Sequence, residues 1–357
     1  MRAQVQHGFG GGDDVVAFEV VPDPVPADGE VVIEVRACAL NRLDLLQRTA
    51  PIVRGFALPH IAGMDVAGVV IDRGSLPGGV GPALGDHVIV DPVSTCGVCD
   101  RCTTGLAPYC ENLRTVGSTR PGGFAERVAA PADRVYPVPA GMSFVEASTL
   151  PVAAMTAYQA LASVHHAGGD TVLVNGAGAG VSCALLVLLQ SRGSTVVTTA
   201  RGLAKAAKAA AVGYDHVIDL TTEDVVARVH DITAGRGVDL VIDHVGPALF
   251  RQSIQSLRIG GTMVFCGTTT GVDVTMSLPE VYHWNRSLVG SGGYQQADFP
   301  LMLDAMAAAG RPPVIDSVWP FGELEAAQAR FADGDFFGKI VIQFGTRVRG
   351  VGCRARP

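Results

Sequence analysis

Thr171-Val172-Leu173-Val174-Asn175-Gly176-Ala177-Gly178-Ala179-Gly180-Val181 is an apolar run that breaks into spaced glycines and resumes as a long aliphatic stretch. The first part predicts a buried strand over 171–175 and the second a helix over 181–190. Glycines between them let a backbone approach a pyrophosphate at the start of the helix, where unpaired N–H groups favour an anion. Such a turn is weak evidence alone, but its setting strengthens it. Further strands are expected at 195–199, 216–219, 239–244 and 262–266, separated by helices at 203–212, 222–233 and 248–257. Apolar strands alternating with helices imply an α/β unit, a doubly wound parallel sheet covered on both faces. Gly176, Gly178, Ala179, Gly180 and Val181 are therefore candidate cofactor-binding residues. Ser182 takes the place of the last glycine of a strict fingerprint, and it is small enough to let the helix lie on the sheet.

The end of the second strand discriminates between cofactors. An acidic residue there would accept from the adenosine ribose of NAD. This chain reads Thr198-Thr199-Ala200-Arg201-Gly202, with Lys205 one turn further on. A missing acid beside two cations fits the 2′-phosphate of NADPH better than NADH, with Thr199, Arg201 and Lys205 as candidate contacts. The competing reading leaves Arg201 pointing to solvent.

Residues 1–150, upstream of this pattern, read as short strands and turns, with β-branched runs at 31–35, 66–72 and 87–91 and a short helix at 41–48. Four of the chain's eight cysteines fall here at close spacing, as Cys96-x2-Cys99-x2-Cys102-x7-Cys110. Four thiolates on a loop suit one closed, tetrahedral structural Zn²⁺ that does no chemistry itself. A disulfide framework would be short and cysteine-dense throughout, and this chain is neither.

Composition narrows the remaining classes. A chain of 357 residues exceeds the ~100–200 expected of one domain, so two domains are expected. With 48% hydrophobic and 17% charged residues it is not a disordered chain. A net charge of −7 without a basic block argues against nucleic acid as a partner. Apolar runs such as 184–189 fall short of the ~18 residues that span a bilayer, and Met1-Arg2-Ala3-Gln4-Val5 opens no secretory signal. The expectation is a cytoplasmic protein with a small-molecule substrate, and neither nucleic acid nor membrane as partner. The tail at 347–357 is basic and Gly-rich and reads as loose.

Beyond 287 the sequence suggests helices near 298–309 and 323–333 and a last strand at 339–344. The whole order, a β-rich start with the four cysteines, the Gly-rich turn and a return ending in Phe337-Gly338-Lys339-Ile340-Val341-Ile342, resembles the medium-chain dehydrogenase/reductase superfamily. Gly122-Gly123-Phe124-Ala125-Glu126, Leu150-Pro151 with Thr156-Ala157-Tyr158, Asp239-Leu240-Val241-Ile242-Asp243-His244-Val245-Gly246 and Gly290-Ser291-Gly292 support the likeness. It implies a GroES-like barrel at 1–150, a Rossmann domain at 151–286 and a C-terminal return at 287–346 that completes the barrel, with the active site between domains. It also implies that Thr156, Val245, Gly267, Thr268, Ser291 and Gly292 border the nicotinamide, while Arg42 and Lys339 face the pyrophosphate. A homodimer joined along the sheet edge, with 272–278 as edge strand, belongs to the same expectation.

Departures from that family pattern point to the chemistry. Zinc-dependent members hold a catalytic metal on a Cys, a His and a second Cys; here those places read Asn41, Met64 and Val152. An amide, a thioether and an aliphatic side chain do not hold Zn²⁺. Asn41-Arg42-Leu43-Asp44 instead looks like the quinone oxidoreductase and enoyl reductase branch. Hydride addition to an enone, enoyl thioester or quinone leaves an enolate that hydrogen bonds can stabilise. Asn41, Asp44 and Asp65 are the candidate catalytic residues. For Asn41 a donor to substrate and a helix cap both remain open, and for Asp44 the structural reading leads. His60 reads as a structural or a cleft-lining residue, His283 and Trp284 as substrate contacts or as surface or dimer contacts, and Cys266 as a small core residue ahead of a reactive thiol. An alcohol or aldehyde dehydrogenase and a non-catalytic NADP(H)-binding protein are the alternatives.

Overall fold

A computed structural model describes residues 1–11, 15–165 and 168–345. The tail expected to be loose, 347–357, lies outside the described residues. Six parallel strands form one sheet, in the order His216–Asp219, Thr195–Ala200, Thr171–Val174, Val238–Asp243, Leu257–Phe265, Ser287–Gly290. Thr171–Val174 is its central strand, and the chain order reverses on its two sides. Sheets of this order offer a crevice at that reversal, and the glycine turn follows the carboxyl end of Thr171–Val174.

Helix Gly180–Gln190 is apolar all round because it is covered all round. It lies on the sheet and beneath helices Ala153–Ala162 and Asp298–Ala308, with Leu185, Leu186, Leu188 and Leu189 fully buried. At ~25 cal/mol per Å² of apolar area, each such leucine contributes about 1.5–3 kcal/mol of burial.

A second, mixed sheet is ordered Ile315–Pro320, Lys339–Gln343, Glu30–Ala39, Asp65–Arg73, His87–Val90, Val135–Pro137, with Arg127–Pro131 also paired to Glu30–Ala39. The last strand of the chain is thus stitched antiparallel into the first half, with Ile342 opposite Cys38. Its core holds Val31, Ile33, Val35, Phe124, Ile340 and Ile342. Among the described residues no helix is long and apolar enough to cross a membrane.

Two expectations are corrected. Strand Ser287–Gly290 completes the parallel sheet and helix Asp298–Ala308 packs on helices Ala153–Ala162 and Gly180–Gln190, so the return to the mixed sheet begins after 308 rather than at 287. Residues 272–278 are all exposed and pair with no strand among the described residues, and Pro279 opens a short helix, Pro279–Tyr282.

Candidate active site

Cys96, Cys99, Cys102 and Cys110 converge with all four Sγ atoms within 4.8 Å of one another. A tetrahedral ion with bonds of about 2.3 Å sets ligand separations of about 3.8 Å. The observed Sγ distances are 3.5 Å for Cys96–Cys110, 3.6 Å for Cys99–Cys102 and 3.9 Å for both Cys96–Cys102 and Cys99–Cys110. Backbone amides of Val98 and Cys99 point at the Cys96 sulfur and hold its pKa down to about 6, which favours the thiolate a metal needs. The lobe exposes Val98, Leu106 and Tyr109, and a metal held by the four sulfurs would supply a cross-link there. Elemental analysis is expected to find one zinc per chain, and Cys99→Ser to lower folding yield and stability without redirecting substrate choice. Two zincs per chain would refute the reading of the catalytic position as non-metallic.

The carboxylates expected to be catalytic lie instead in a closed network. Asp44 accepts from the backbone N–H of Asn41 at 2.7 Å and of Gly63 at 3.3 Å, which caps helix Arg42–Thr49 and ties it to the 61–64 turn. Burial pushes the Asp44 pKa up to about 7 against those donors. Asp65 is also fully buried; one oxygen accepts from Val152 N at 2.9 Å, the other from Lys339 at 2.8 Å. Desolvation raises its pKa, and Lys339 pulls it back.

Lys339 itself is corrected. Its ammonium donates to Leu40 O at 2.7 Å, Asn41 Oδ1 at 2.8 Å and Asp65 Oδ2, so all three hydrogens are held inside the protein rather than offered to a pyrophosphate. Only its methylenes reach the cofactor turn: a Cβ on Gly180 would lie 2.6 Å from Lys339 Cδ. Because an ammonium only donates, it fixes the Asn41 amide with Oδ1 inward. Nδ2 is left buried without a hydrogen bond.

At the glycine turn, Gly176 has φ +75° and Ala179 caps helix Gly180–Gln190 with no side-chain bond, so Gly178, Ala179, Gly180 and Val181 leave that helix end open to a phosphate. Residues beneath brace it. Thr199 is fully buried and accepts from Gly176 N at 2.9 Å, which makes it a support and not a contact. Ser182, also buried, bonds Asn175 O at 3.0 Å and His244 Nε2 at 2.7 Å, so its hydroxyl is satisfied where the fingerprint has glycine. At the second strand's end, Ala200 is buried and Arg201 exposed, but Lys205 donates to Gly334 O at 2.6 Å and is tied there. Asp219, from the neighbouring strand, accepts from Gly202 N at 2.8 Å with Oδ2 unpaired.

A cleft of about 210 Å³ opens between the two sheets, lined by Met64, Pro92, Val93, Pro151, Val152, Thr156, Gln159, Cys266, Ser291, Gly292 and Tyr294. It gathers Thr156, Ser291 and Gly292; Val245, Gly267 and Thr268 lie on adjoining loops, and Arg42 is exposed at the start of its helix. Cys266 lines the wall as a neutral thiol, its pKa raised by burial to about 12. His60 is structural, bonded to Gly117 O at 3.1 Å, and His283 and Trp284 are exposed outside the cleft lining. Gln159, whose buried Oε1 lacks a partner, and Tyr294 were not singled out from sequence; no local pattern marks them.

Two family models match the chain: an alcohol dehydrogenase GroES-like domain over 27–140 and a zinc-binding dehydrogenase over 180–308. An acryloyl-coenzyme A reductase of Metallosphaera sedula is 30% identical over 96% of this chain and 99% of its own. An alcohol dehydrogenase of Geobacillus stearothermophilus is 28% identical over 90% and 94%. The solved structure of an NAD-dependent alcohol dehydrogenase superposes with a TM-score of 0.89 at 32% identity, covering 97% of this chain and all of that one.

Proposed function

As a member of the medium-chain dehydrogenase/reductase superfamily the chain is a nicotinamide-dependent oxidoreductase, and we propose that it reduces an activated carbon–carbon double bond or a quinone with NADPH. One observation carries the choice. Where a catalytic metal would need thiolate and imidazole, Asn41, Met64 and Val152 stand, and the ammonium of Lys339 already occupies the acceptors Asn41 Oδ1 and Asp65 Oδ2. This donor set does not fit a second zinc, so no step is routed through one. A bound nicotinamide supplies hydride. The chain's part is to hold the acceptor against Met64 and Val152 and to stabilise the negative oxygen that forms. Asn41 Nδ2, a buried donor without a partner, suits that oxygen, since leaving such a group unpaired costs about 1–3 kcal/mol. Asp44 and Asp65 position it.

For the cofactor, Ala200 removes the repulsion that an acid would bring, and the exposed Arg201 offers a planar fork to a 2′-phosphate. A panel of enones, enoyl thioesters, quinones, aldehydes and primary alcohols, run with each nicotinamide, tests both parts. The expected result is reduction of the alkene or quinone, with NADPH ahead of NADH at least tenfold in kcat/KM, about 1.4 kcal/mol. Arg201→Ala should erase most of that margin by weakening NADPH alone. The Geobacillus relative's name makes alcohol oxidation the competing reading, and alcohol turnover without alkene or quinone turnover would establish it. A preference for NADH would transfer the ribose contact to the unpaired oxygen of Asp219.

A further inference from the structure

Asp91 is a buried carboxylate that the chemistry above does not use. It follows strand His87–Val90 and directly precedes Pro92 and Val93 in the cleft wall. Its Oδ1 accepts from Val93 N at 3.1 Å and from the phenol of Tyr294 at 2.5 Å; its Oδ2 has Arg134 at a longer 3.5 Å. Arg134 is shared with Asp133, so the carboxylate is weakly neutralised for a group with no exposed surface. Tyr294 lies 203 residues away in sequence, on the segment after Ser291-Gly292, and lines the same cleft as Pro92 and Val93. The cysteine lobe clasps that segment: Gln295 Nε2 donates to Gly105 O at 2.8 Å, and a Cβ on Gly293 would lie 2.7 Å from Pro108 Cβ.

We propose that Tyr294 is the proton donor of the cleft, with Asp91 behind it as the positioning and reloading group. The assignment rests on the reductase reading given above. Hydride added to the β-carbon moves the alkene's electron pair onto the α-carbon and carbonyl oxygen as an enolate. The α-carbon then takes the phenolic proton while the phenolic oxygen takes the proton of neutral Asp91. One C–H bond forms at each carbon, Tyr294 ends neutral and Asp91 ends as carboxylate. The phenol donating to Asp91 Oδ1, as in the structure, is thus the discharged state; after product leaves, a proton from cleft water onto the phenolic oxygen sends the phenol's own proton to Asp91 and reloads the pair. Burial raises the Asp91 pKa to about 6 and pushes that of Tyr294 well above its usual value, so a lone phenolate beside a carboxylate is avoided and the relay direction is set. The titratable groups facing Asp91 are Tyr294 and Arg134, with Tyr136 and Asp133 beyond Arg134.

A mere latch between the two segments would alter stability and KM. A proton donor alters kcat and the configuration at the α-carbon. The test is reduction of an α-methyl enone by NADPH in D₂O. Wild type is expected to place deuterium at the α-carbon in one configuration. Tyr294→Phe should lose about 10²–10³ in kcat, within the span of general acid catalysis, with KM within threefold and both α-configurations in the product. Wild-type kcat should fall as pH rises through about 6, because the acid form of Asp91 is required, and Asp91→Asn should lose that limb. Asp91→Asn also serves should Tyr294→Phe fail to fold. A Tyr294→Phe enzyme within threefold of wild type and still giving one configuration overturns the relay while leaving the reductase reading intact. Wild type inert towards every alkene and quinone overturns both.

Discussion

Lys339→Met is expected to destabilise the protein by about 3–5 kcal/mol in denaturant unfolding, the scale for removing one partner of a buried ion pair. The reason is geometric. The lysine is 6% exposed, its ammonium holds Leu40 O, Asn41 Oδ1 and Asp65 Oδ2 together, and no water-facing route compensates Asp65 once it is gone. Methionine fills nearly the same volume and leaves the methylene contact with Gly180 in place, so the loss reports the charge. The pH dependence gives a second signature. Asp65 is already raised by burial, and Asp44 sits near 7. Without the cation both folded-state pKa values move further above the unfolded 3.8. A carboxyl whose folded pKa is raised favours folding below the unfolded value and loses that contribution as pH rises through the folded one. The deficit of Lys339→Met should therefore shrink from pH 8 towards pH 5. A deficit under 1 kcal/mol, or one independent of pH, would show that the network tolerates an uncompensated Asp65.

Much of this architecture is legible in the chain, and the division follows sequence distance. The glycine turn and the four cysteines are local patterns, each fixed by residues within about fifteen positions; the structure sets the turn between strand Thr171–Val174 and helix Gly180–Gln190 and brings the four sulfurs together. The parallel sheet was legible from periodicity up to residue 266. Periodicity does not reveal Ser287–Gly290, the four-residue edge strand of that sheet with no strong alternation, nor Ile315–Pro320, the edge strand of the mixed sheet, whose residues are only partly covered. Candidate site residues divide the same way. Asn41, Asp44 and Asp65 were found by position, but what each does depends on Lys339, which lies 298 residues from Asn41 and 274 from Asp65. Lys205 and Thr199 misled for the converse reason. Their positions suit a cofactor contact, and tertiary partners at Gly334 and Gly176 engage them instead. Tyr294 has no signature, because a phenol becomes a candidate only once Asp91 is seen beneath it.

Asn41→Ala should reduce turnover on an activated alkene by about 10²–10³, the scale for losing one donor to a developing oxyanion. The argument depends on which way the amide faces. An ammonium on Oδ1 leaves Nδ2 as the other end, and it is buried with no hydrogen bond within 3.5 Å, although the amide also bears on Asp65 and draws down the pKa that burial raises. The variant also removes one of three acceptors from Lys339, so some stability must go with it; two acceptors, Leu40 O and Asp65 Oδ2, remain. The helix keeps half of its capping box, because Asp44 holds the backbone N–H of residue 41 rather than its side chain. Asn41→Asp separates the two roles. It keeps an oxygen for Lys339 and supplies none of the N–H donation, so it should be slow even after allowance for the stability that a further carboxylate beside Asp65 costs. An Asn41→Asp enzyme that folds and turns over within threefold of wild type would make Asn41 an anchor for the lysine alone. The oxyanion would then have to be held by another cleft donor.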